Sequence, residues 1–335
     1  MDHPEPVDHP EAPADAVPPA SAPLVLRGRE VGRDGRAVRP VVMAVLNRTT
    51  DSFYAPARVP GDAAALAAAE RAYADGAEIL DVGGVRAGNG TPVDEAEEIR
   101  RVVPFVAAVR RAVPDLFVSV DTWRAGVARA AIDAGADLIN DTWAGHDPGL
   151  VEVAGAAGVG VVCSHTGGAV PRTDPYRVEY PDVSDLQVTG GTCTSDTGEG
   201  DGRDGLLADV VATLRAAAER AVARGVPRES VLVDPTHDFG KNTWHSLHLL
   251  RRTGALAGLG FPLLMALSRK DFVGETLDLP PEERLEGTLA ATAVAAWLGA
   301  RVFRAHDVAA TRRVLDLVAA VRDEAPPAAA LRGLA

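Results

Sequence analysis

Short apolar runs of strand length alternate along the chain with longer Ala-, Leu-, Val- and Arg-rich stretches whose apolar positions recur at helical spacing. The runs predict strands at Val41–Leu46, Glu78–Val82, Phe117–Val120, Asp137–Ile139, Gly160–Cys163, Ser230–Val233, Leu263–Leu267 and Arg301–Phe303. A helix is predicted after each, over 62–75, 94–112, 123–134, 148–157, 206–224, 243–254, 281–298 and 307–322. Gly76, Gly135, Gly158, Gly225 and Gly299 stand where helices should end, as C-terminal cap glycines do. Strands alternating with helices imply a parallel sheet. Eight such units imply an α/β fold of the (β/α)8 TIM-barrel type. An open doubly wound sheet is the alternative. No Gly-x-Gly-x-x-Gly turn follows the first strand, which counts against its dinucleotide-binding form.

Two segments fall outside this pattern. Residues 1–23 hold seven prolines, five acids and no Lys or Arg, and are expected to be a solvated tail rather than a secretory signal. Residues 182–205 are polar and Gly-rich and predict a long loop inserted in the barrel. One barrel domain is therefore expected over 24–325, with a short tail at 326–335. The chain of 335 residues is 47% hydrophobic, ample for such a core. Of the net charge of −13, each polar segment carries −5, which leaves only −3 elsewhere. Neither balance suits a nucleic-acid or anionic-membrane surface. No apolar run approaches the roughly 18 residues of a membrane span. Two cysteines, Cys163 and Cys193, make no disulfide framework, so a reducing, cytoplasmic setting is expected.

Composition also says where to look for chemistry. Of 34 basic residues only Lys241 and Lys270 are lysines, and asparagine occurs four times, at 47, 89, 140 and 242. In a chain so biased toward Arg and Ala, a surviving Lys or Asn tends to sit where a substitute fails. The C-terminal ends of the predicted strands, which form the active face of such a barrel, are uniformly polar. They run into Asn47, Asp81, Asp121, Asn140-Asp141, Ser164-His165, Asp234, Ser268-Arg269-Lys270 and Arg304-Ala305-His306-Asp307. The N-terminal ends suggest no such series. A single Asp after a strand is commonly a helix cap; eight polar strand ends out of eight point to a site.

These residues carry a family resemblance. Met43-Ala-Val-Leu-Asn-Arg-Thr-Thr-Asp-Ser-Phe, Asp81-Val-Gly-Gly, Ser119-Val-Asp-Thr, Ile139-Asn-Asp, Asp234-Pro-(x)3-Phe-Gly-Lys-Asn, Ser268-Arg-Lys and Arg304-Ala-His-Asp follow the order and spacing of dihydropteroate synthases. The resemblance runs from about residue 25 to 322. It implies a homodimeric (β/α)8 barrel. It also implies the folate-pathway transfer in which 6-hydroxymethyl-7,8-dihydropterin diphosphate alkylates 4-aminobenzoate and releases diphosphate, with Mg2+. It places Asp234 on the guanidine-like edge of the pterin, which a carboxylate meets with both oxygens. Asn140 would read a neighbouring ring edge, and Lys270 the pterin carbonyl and ring nitrogen, where an Arg fork is no geometric substitute. Asp121 would stabilise positive charge developing at the exocyclic methylene. Arg304 and His306 would bind the diphosphate before a helix N-terminus, and Asn47 would help hold Mg2+.

The chain departs from the family in its loops. Where active members read Asp-x-Gly-Gly-Glu-Ser-Thr-Arg-Pro-Gly, this chain reads Asp81-Val-Gly-Gly-Val-Arg-Ala-Gly-Asn-Gly90. The Thr and Arg that the family uses around 4-aminobenzoate and diphosphate are Ala87 and Gly88. The loop after Asn47 is rewritten, with Arg48 a new charge beside it, and Thr236-His-Asp replaces a Gly-x-Gly. These changes resemble a second, divergent paralogue for which synthase activity is weak or absent. A working synthase is thus one expectation, and a paralogue that only binds a pterin or diphosphate is the alternative. A different transferase on the same barrel, or a lysine Schiff-base enzyme built on Lys270, are weaker ones. Lys241 is as readily structural as ligand-binding, Cys163 and His165 suit packing more than a metal, and His237 and His245 suit loops. Trp123 and Trp143 suit core packing at least as well as ring stacking.

Overall fold

The structure, a computed structural model, describes residues 22–35, 37–49, 61–88, 90–173 and 205–332. The described chain opens with two small antiparallel hairpins, β1 (Val25–Leu26) with β2 (Arg29–Glu30) and β3 (Arg33–Asp34) with β4 (Ala37–Val38). Then follow β5 (Val41–Asn47), α1 (Asp62–Ala74), β6 (Ile79–Gly83), α2 (Glu95–Ala112), β7 (Phe117–Asp121), α3 (Ala125–Asp133), β8 (Leu138–Asp141), α4 (Gly149–Ala157) and β9 (Gly160–Ser164). The second half holds α5 (Gly205–Ala223), β10 (Val231–Asp234), α6 (Thr243–Arg251), α7 (Thr253–Ala257), β11 (Leu264–Met265), α8 (Asp271–Leu277), α9 (Leu285–Trp297), β12 (Val302–Ala305) and α10 (Val308–Val321). The predicted tail at 1–23 and insert at 182–205 lie outside the described residues, except for Ala22, Pro23 and Gly205, which begins α5.

Strands β5 to β12 form one parallel sheet in the order β10-β9-β8-β7-β6-β5-β12-β11. A parallel bridge between Val233 and Leu263 joins its two end strands, so the sheet closes into the expected barrel. The five glycines expected to end helices all take positive φ, from 64° at Gly158 to 109° at Gly135.

Side-chain alternation divides the strands between two cores. Val42, Ala44, Leu80, Val82, Val118, Val120, Ile139, Val161, Cys163, Val231, Val233 and Phe303 point outward and pack under the helices. Val41, Met43, Ile79, Phe117, Leu138, Val162, Leu232 and Val302 point inward and fill the barrel, with Leu24, Leu26 and Val31 sealing it from the hairpin end. The inward parity continues up each strand to Asn47, Asp81, Ser119, Asp121, Asn140, Asp234 and Arg304. One periodicity therefore builds the apolar floor and the polar mouth above it.

Three local expectations change. Residues 243–254 are two helices, broken at Arg252. Residues 281–298 begin with a 3-10 turn over Pro281–Glu283 before α9. Helix α8 was not expected: its first N–H, that of Asp271, is capped from a distant loop by Asp238 Oδ2 at 2.6 Å, which no local pattern reveals.

The N-terminal strand ends also carry a polar series, contrary to the sequence reading. Glu78 accepts the Val42 N–H at 2.8 Å and Asp137 accepts the Val118 N–H at 2.7 Å. Ser230 Oγ donates to the Val25 carbonyl at 2.6 Å, and Arg301 donates to those of Arg39 at 2.7 Å and Val31 at 2.6 Å. These groups tie the strand starts to one another and to the hairpin plug.

Candidate functional site

The expected site residues converge on the mouth. The register places Asn47, Gly83, Asp121 and Asn140 in one row across β5, β6, β7 and β8. A Cβ at 83 would stand 2.8 Å from Asn47 Oδ1, so a side chain there would push the Asn47 amide aside. Asp81 lies one layer below, fully buried, level with Ser119. Its Oδ1 accepts from Ser119 Oγ at 2.6 Å. Its Oδ2 accepts from Asn140 Nδ2 at 3.1 Å and from Arg304 Nε at 2.7 Å. Arg304 also donates through Nη2 to Asp121 Oδ2 at 3.3 Å, and Thr142 Oγ1 donates to Asp121 Oδ1 at 3.1 Å. One guanidinium thus bridges two carboxylates. Burial pushes the Asp121 carboxyl up to about 7, Arg304 opposing and Asp81 reinforcing the shift.

Across the mouth, Asp234 Oδ1 accepts the Thr236 N–H at 2.7 Å. Burial raises its carboxyl, and the Lys270 ammonium offsets part of that. Lys270 donates to the His237 carbonyl and lies 5.2 Å from the Phe239 ring centroid. Burial lowers its ammonium, with Asp238 and Asp234 opposing. Trp143 is buried edge-on against Phe239 at 5.4 Å and so supports the ring on which Lys270 is seated. His306 Nδ1 is 3.0 Å from Ser268 Oγ, and burial with Arg304 nearby brings its imidazole down to about 4. His306 is therefore neutral near pH 7 and offers hydrogen bonding rather than charge.

Several expected or ambiguous residues serve the scaffold. Lys241 is buried, with Nζ donating to the carbonyls of His165 at 2.7 Å, Phe239 at 2.9 Å and Thr236 at 3.3 Å. It laces the loop after β10 to the end of β9. Arg269 makes a two-bond fork to Asp307, at 2.8 and 3.0 Å. Asn242 caps α6, accepting the His245 N–H at 2.9 Å, and His245 Nδ1 accepts the Asn242 N–H in return. His245 is thus a helix-cap residue rather than a loop residue. Cys163 faces the outer core and burial raises its thiol to about 12, while His165 pairs with Asp209 of α5 at 2.8 Å, so the two form no metal pair. Arg48 does not stand beside Asn47: strand alternation sends it outward, where it pairs with Asp62 and covers the Phe105 ring at 5.1 Å.

The rewritten loops are partly visible. Thr236 and Asp238, where the family has glycine, still adopt positive φ of 51° and 68°. The glycine-shaped turn persists without its glycines, held by the Thr236 N–H bond to Asp234 and the Asp238 cap on α8. In the second loop Arg86 Nε lies 3.8 Å from where a Cβ on Gly88 would stand, so the Arg86 side chain folds back beside Gly88. The expectations for residues 50–60 and Asn89 lie outside the described residues.

Sequence reading missed the part played by Asp81, Ser119 and Thr142. Asp81 was visible as a polar strand end. Its three donors arrive from three other strands, so local pattern could not show what it holds.

Comparisons with known proteins agree with this geometry. The profile of pterin binding enzymes matches residues 43–306. A Mycobacterium leprae protein called inactive dihydropteroate synthase 2 is 56% identical over 304 residues, covering 91% of this chain and 98% of the relative. The dihydropteroate synthase of Bacillus subtilis is 34% identical over 287 residues, 84% of this chain and 89% of the enzyme. A Xanthomonas albilineans dihydropteroate synthase structure with 4-aminobenzoic acid superposes with a TM-score of 0.73 at 34% identity, covering 90% of this chain and 99% of that one. The chain belongs to the pterin-binding family of dihydropteroate synthases.

Proposed function

We propose that the chain binds a pterin in the barrel mouth and is a paralogue in which transfer onto 4-aminobenzoate is slow or lost. The observation that carries this reading is an asymmetry. Asp121, Asn140, Asp234 and Lys270 converge with hydrogen-bonding capacity to spare, whereas the second loop offers Val85, Arg86, Ala87 and Gly88 where the family has Glu, Ser, Thr and Arg. The 56% identity to a relative called inactive supports it. A slow synthase is the second reading, favoured by Arg86 beside Gly88.

The retained groups suit the head of the substrate. Asp234 meets the guanidine-like edge, Lys270 donates to the carbonyl side, and Asp121 stands where cationic character builds as the C–O bond to diphosphate breaks. Arg304 and neutral His306 would take the diphosphate. Among the described residues no three His, Cys, Asp or Glu side chains cluster to hold a metal ion. Asn47 is one neutral oxygen donor, which fits a Mg2+ that keeps its waters and arrives on diphosphate oxygens. When bound there, Mg2+ would supply charge neutralisation to the leaving group.

A homodimer is part of the proposal. Exposed Val294 and Trp297 on α9 and Leu317 and Val321 on α10 offer apolar surface for it, and sedimentation would measure the mass. No described helix is long and apolar enough to cross a membrane, and the reducing, cytoplasmic setting remains part of the proposal.

The test is titration with 6-hydroxymethyl-7,8-dihydropterin diphosphate, with and without 4-aminobenzoate, followed by a product assay. Binding is expected, with turnover at least about 100-fold below a working synthase. Turnover at a working synthase's rate would overturn the reading. The combined changes Val85→Glu, Arg86→Ser, Ala87→Thr, Gly88→Arg and Asn89→Pro should then recover part of the activity.

A further inference from the structure

Three consecutive residues after β10 each carry a conformational or desolvation cost. Thr236 and Asp238 take φ of 51° and 68°, a region that a β-branched residue such as Thr rarely adopts. Between them His237 is fully buried, and neither of its ring nitrogens has a hydrogen-bond partner among the described residues. Buried polar groups without partners are rare and destabilising. The ring packs instead on Phe272 of α8, with centroids 5.6 Å apart.

The bonds that offset these costs all leave the turn. The His237 carbonyl accepts from Lys270 Nζ. Asp238 Oδ2 accepts the Asp271 N–H at 2.6 Å and the Phe272 N–H at 3.4 Å, whereas Lys270, which precedes α8, gives that helix no side-chain cap. Ser246 of α6 accepts the Asp238 N–H at 3.2 Å and donates to Asp238 Oδ1 at 3.1 Å. Lys241 Nζ donates to the carbonyls on either side, those of Thr236 and Phe239. The turn therefore works as a clasp. It seats Lys270 and starts α8 only while its three residues keep a costly path.

The surroundings of His237 make the clasp sensitive to one proton. Among the described residues the charged groups that act on the ring are Lys270, ahead of α8, and Lys241, ahead of α6, and in acid both are ammonium groups. The nearby carboxylates are committed elsewhere, Asp234 to the Thr236 N–H and Asp238 to Ser246 and α8. Of the other titratable groups close by, His165 faces Asp209, and His245 Nδ1 caps the start of α6. Burial first, and then the two lysines, keep the His237 ring neutral. In water an imidazole takes a proton at about pH 6.5. We propose that residues 236–238 form an acid-sensitive clasp, in which protonation of His237 opens the turn and releases the Lys270 ammonium and the start of α8. The closed form binds this proton more weakly than the open form. Closure is thus fully favoured above about pH 6.5 and is lost progressively as pH falls below it. The clasp needs no ligand, so it goes beyond the pterin reading and holds or fails apart from it.

The test is amide hydrogen exchange on the full chain, without ligand, at about pH 7.5 and 5.5, each rate divided by its intrinsic value at that pH. Exchange reads an opening even when few molecules are open. The opening constant at the Asp271 and Phe272 amides, which Asp238 holds, should rise about tenfold between those values. Amides within β6 and β7 should change by less than about twofold. His237→Leu puts an apolar group on Phe272 and should hold the rise at Asp271 and Phe272 below about twofold as well. If that protein does not fold, His237→Gln, polar but without a titration, takes its place with the same expectation. A rise below about twofold in the unaltered chain overturns the proposal. So does an equal rise in β6 and β7, which would mean that the whole barrel loosens. A tenfold rise that persists in a folded His237 variant assigns the proton to another group, with Asp238 the first to change, and overturns it too.

Discussion

The two ends of the barrel both bury charge and use it differently. At the N-terminal end, Asp137 is held by Arg27, Arg110 and the Val118 N–H, and Glu78 by Arg312 and the Val42 N–H. Those groups finish on protein. At the mouth the lower layer is finished in the same way, with Asp81 closed by three donors. The layer above is not. Asp234 engages one carboxylate oxygen, and Asn140 Oδ1 and the Asn47 side chain form no hydrogen bond among the described residues. Buried polar groups cost free energy when unpaired. The upper layer of the mouth thus keeps hydrogen-bonding capacity suited to a polar ligand.

The comparison breaks most visibly at the closed end. Asp137→Ala leaves two arginines and a backbone N–H without their acceptor and should destabilise the protein by about 3 kcal/mol. Pterin affinity of the folded fraction should not change. Denaturant unfolding gives the first quantity and titration the second; an unaltered midpoint would mean that the closed end contributes nothing to stability. At the open end Lys270→Arg should do the reverse. The slot over Phe239 and beside the His237 carbonyl is shaped for a point charge, so pterin affinity should fall at least about 100-fold while the unfolding midpoint moves little. Retained affinity would remove Lys270 from the ligand's contacts.

How far these ends were legible in sequence follows from the range of each signal. Strand parity is local, so the mouth residues Asn47, Asp121, Asn140, Asp234 and Arg304 could be read from the strand ends. The same parity turns Arg48 outward, although its partner there, the Phe105 ring of α2, is a long-range contact. Long-range contacts were illegible. The cap on α8 comes from Asp238, 33 residues earlier. Arg301 reaches carbonyls in the hairpin plug, 262 and 270 residues away. Rarity of Lys and Asn was a sound pointer to constrained positions but did not separate kinds of constraint. Lys270, Asn140 and Asn47 line the mouth, whereas Lys241 and Asn242 hold backbone.

The smallest expected effect is a slope in pH, and it sharpens the comparison because stability and binding should tilt in opposite directions. Burial raises the Asp121 carboxyl from 3.8 to about 7. The folded protein therefore holds this proton more tightly than the unfolded chain between those values. The contribution of Asp121 to stability is fully present below 3.8 and is lost as pH rises through about 7. Ligand binding has the opposite sign if the ionised carboxylate faces the pterin methylene: affinity should rise as pH climbs through the same window. Asp121→Asn removes the titration and should flatten both curves, leaving the variant at least as stable as the parent at about pH 8. Unfolding midpoints and titrations at about pH 5.5, 7 and 8.5 would compare the two. Curves that still tilt in the variant would assign the titration to another group, with Asp234, also raised by burial, the next to change.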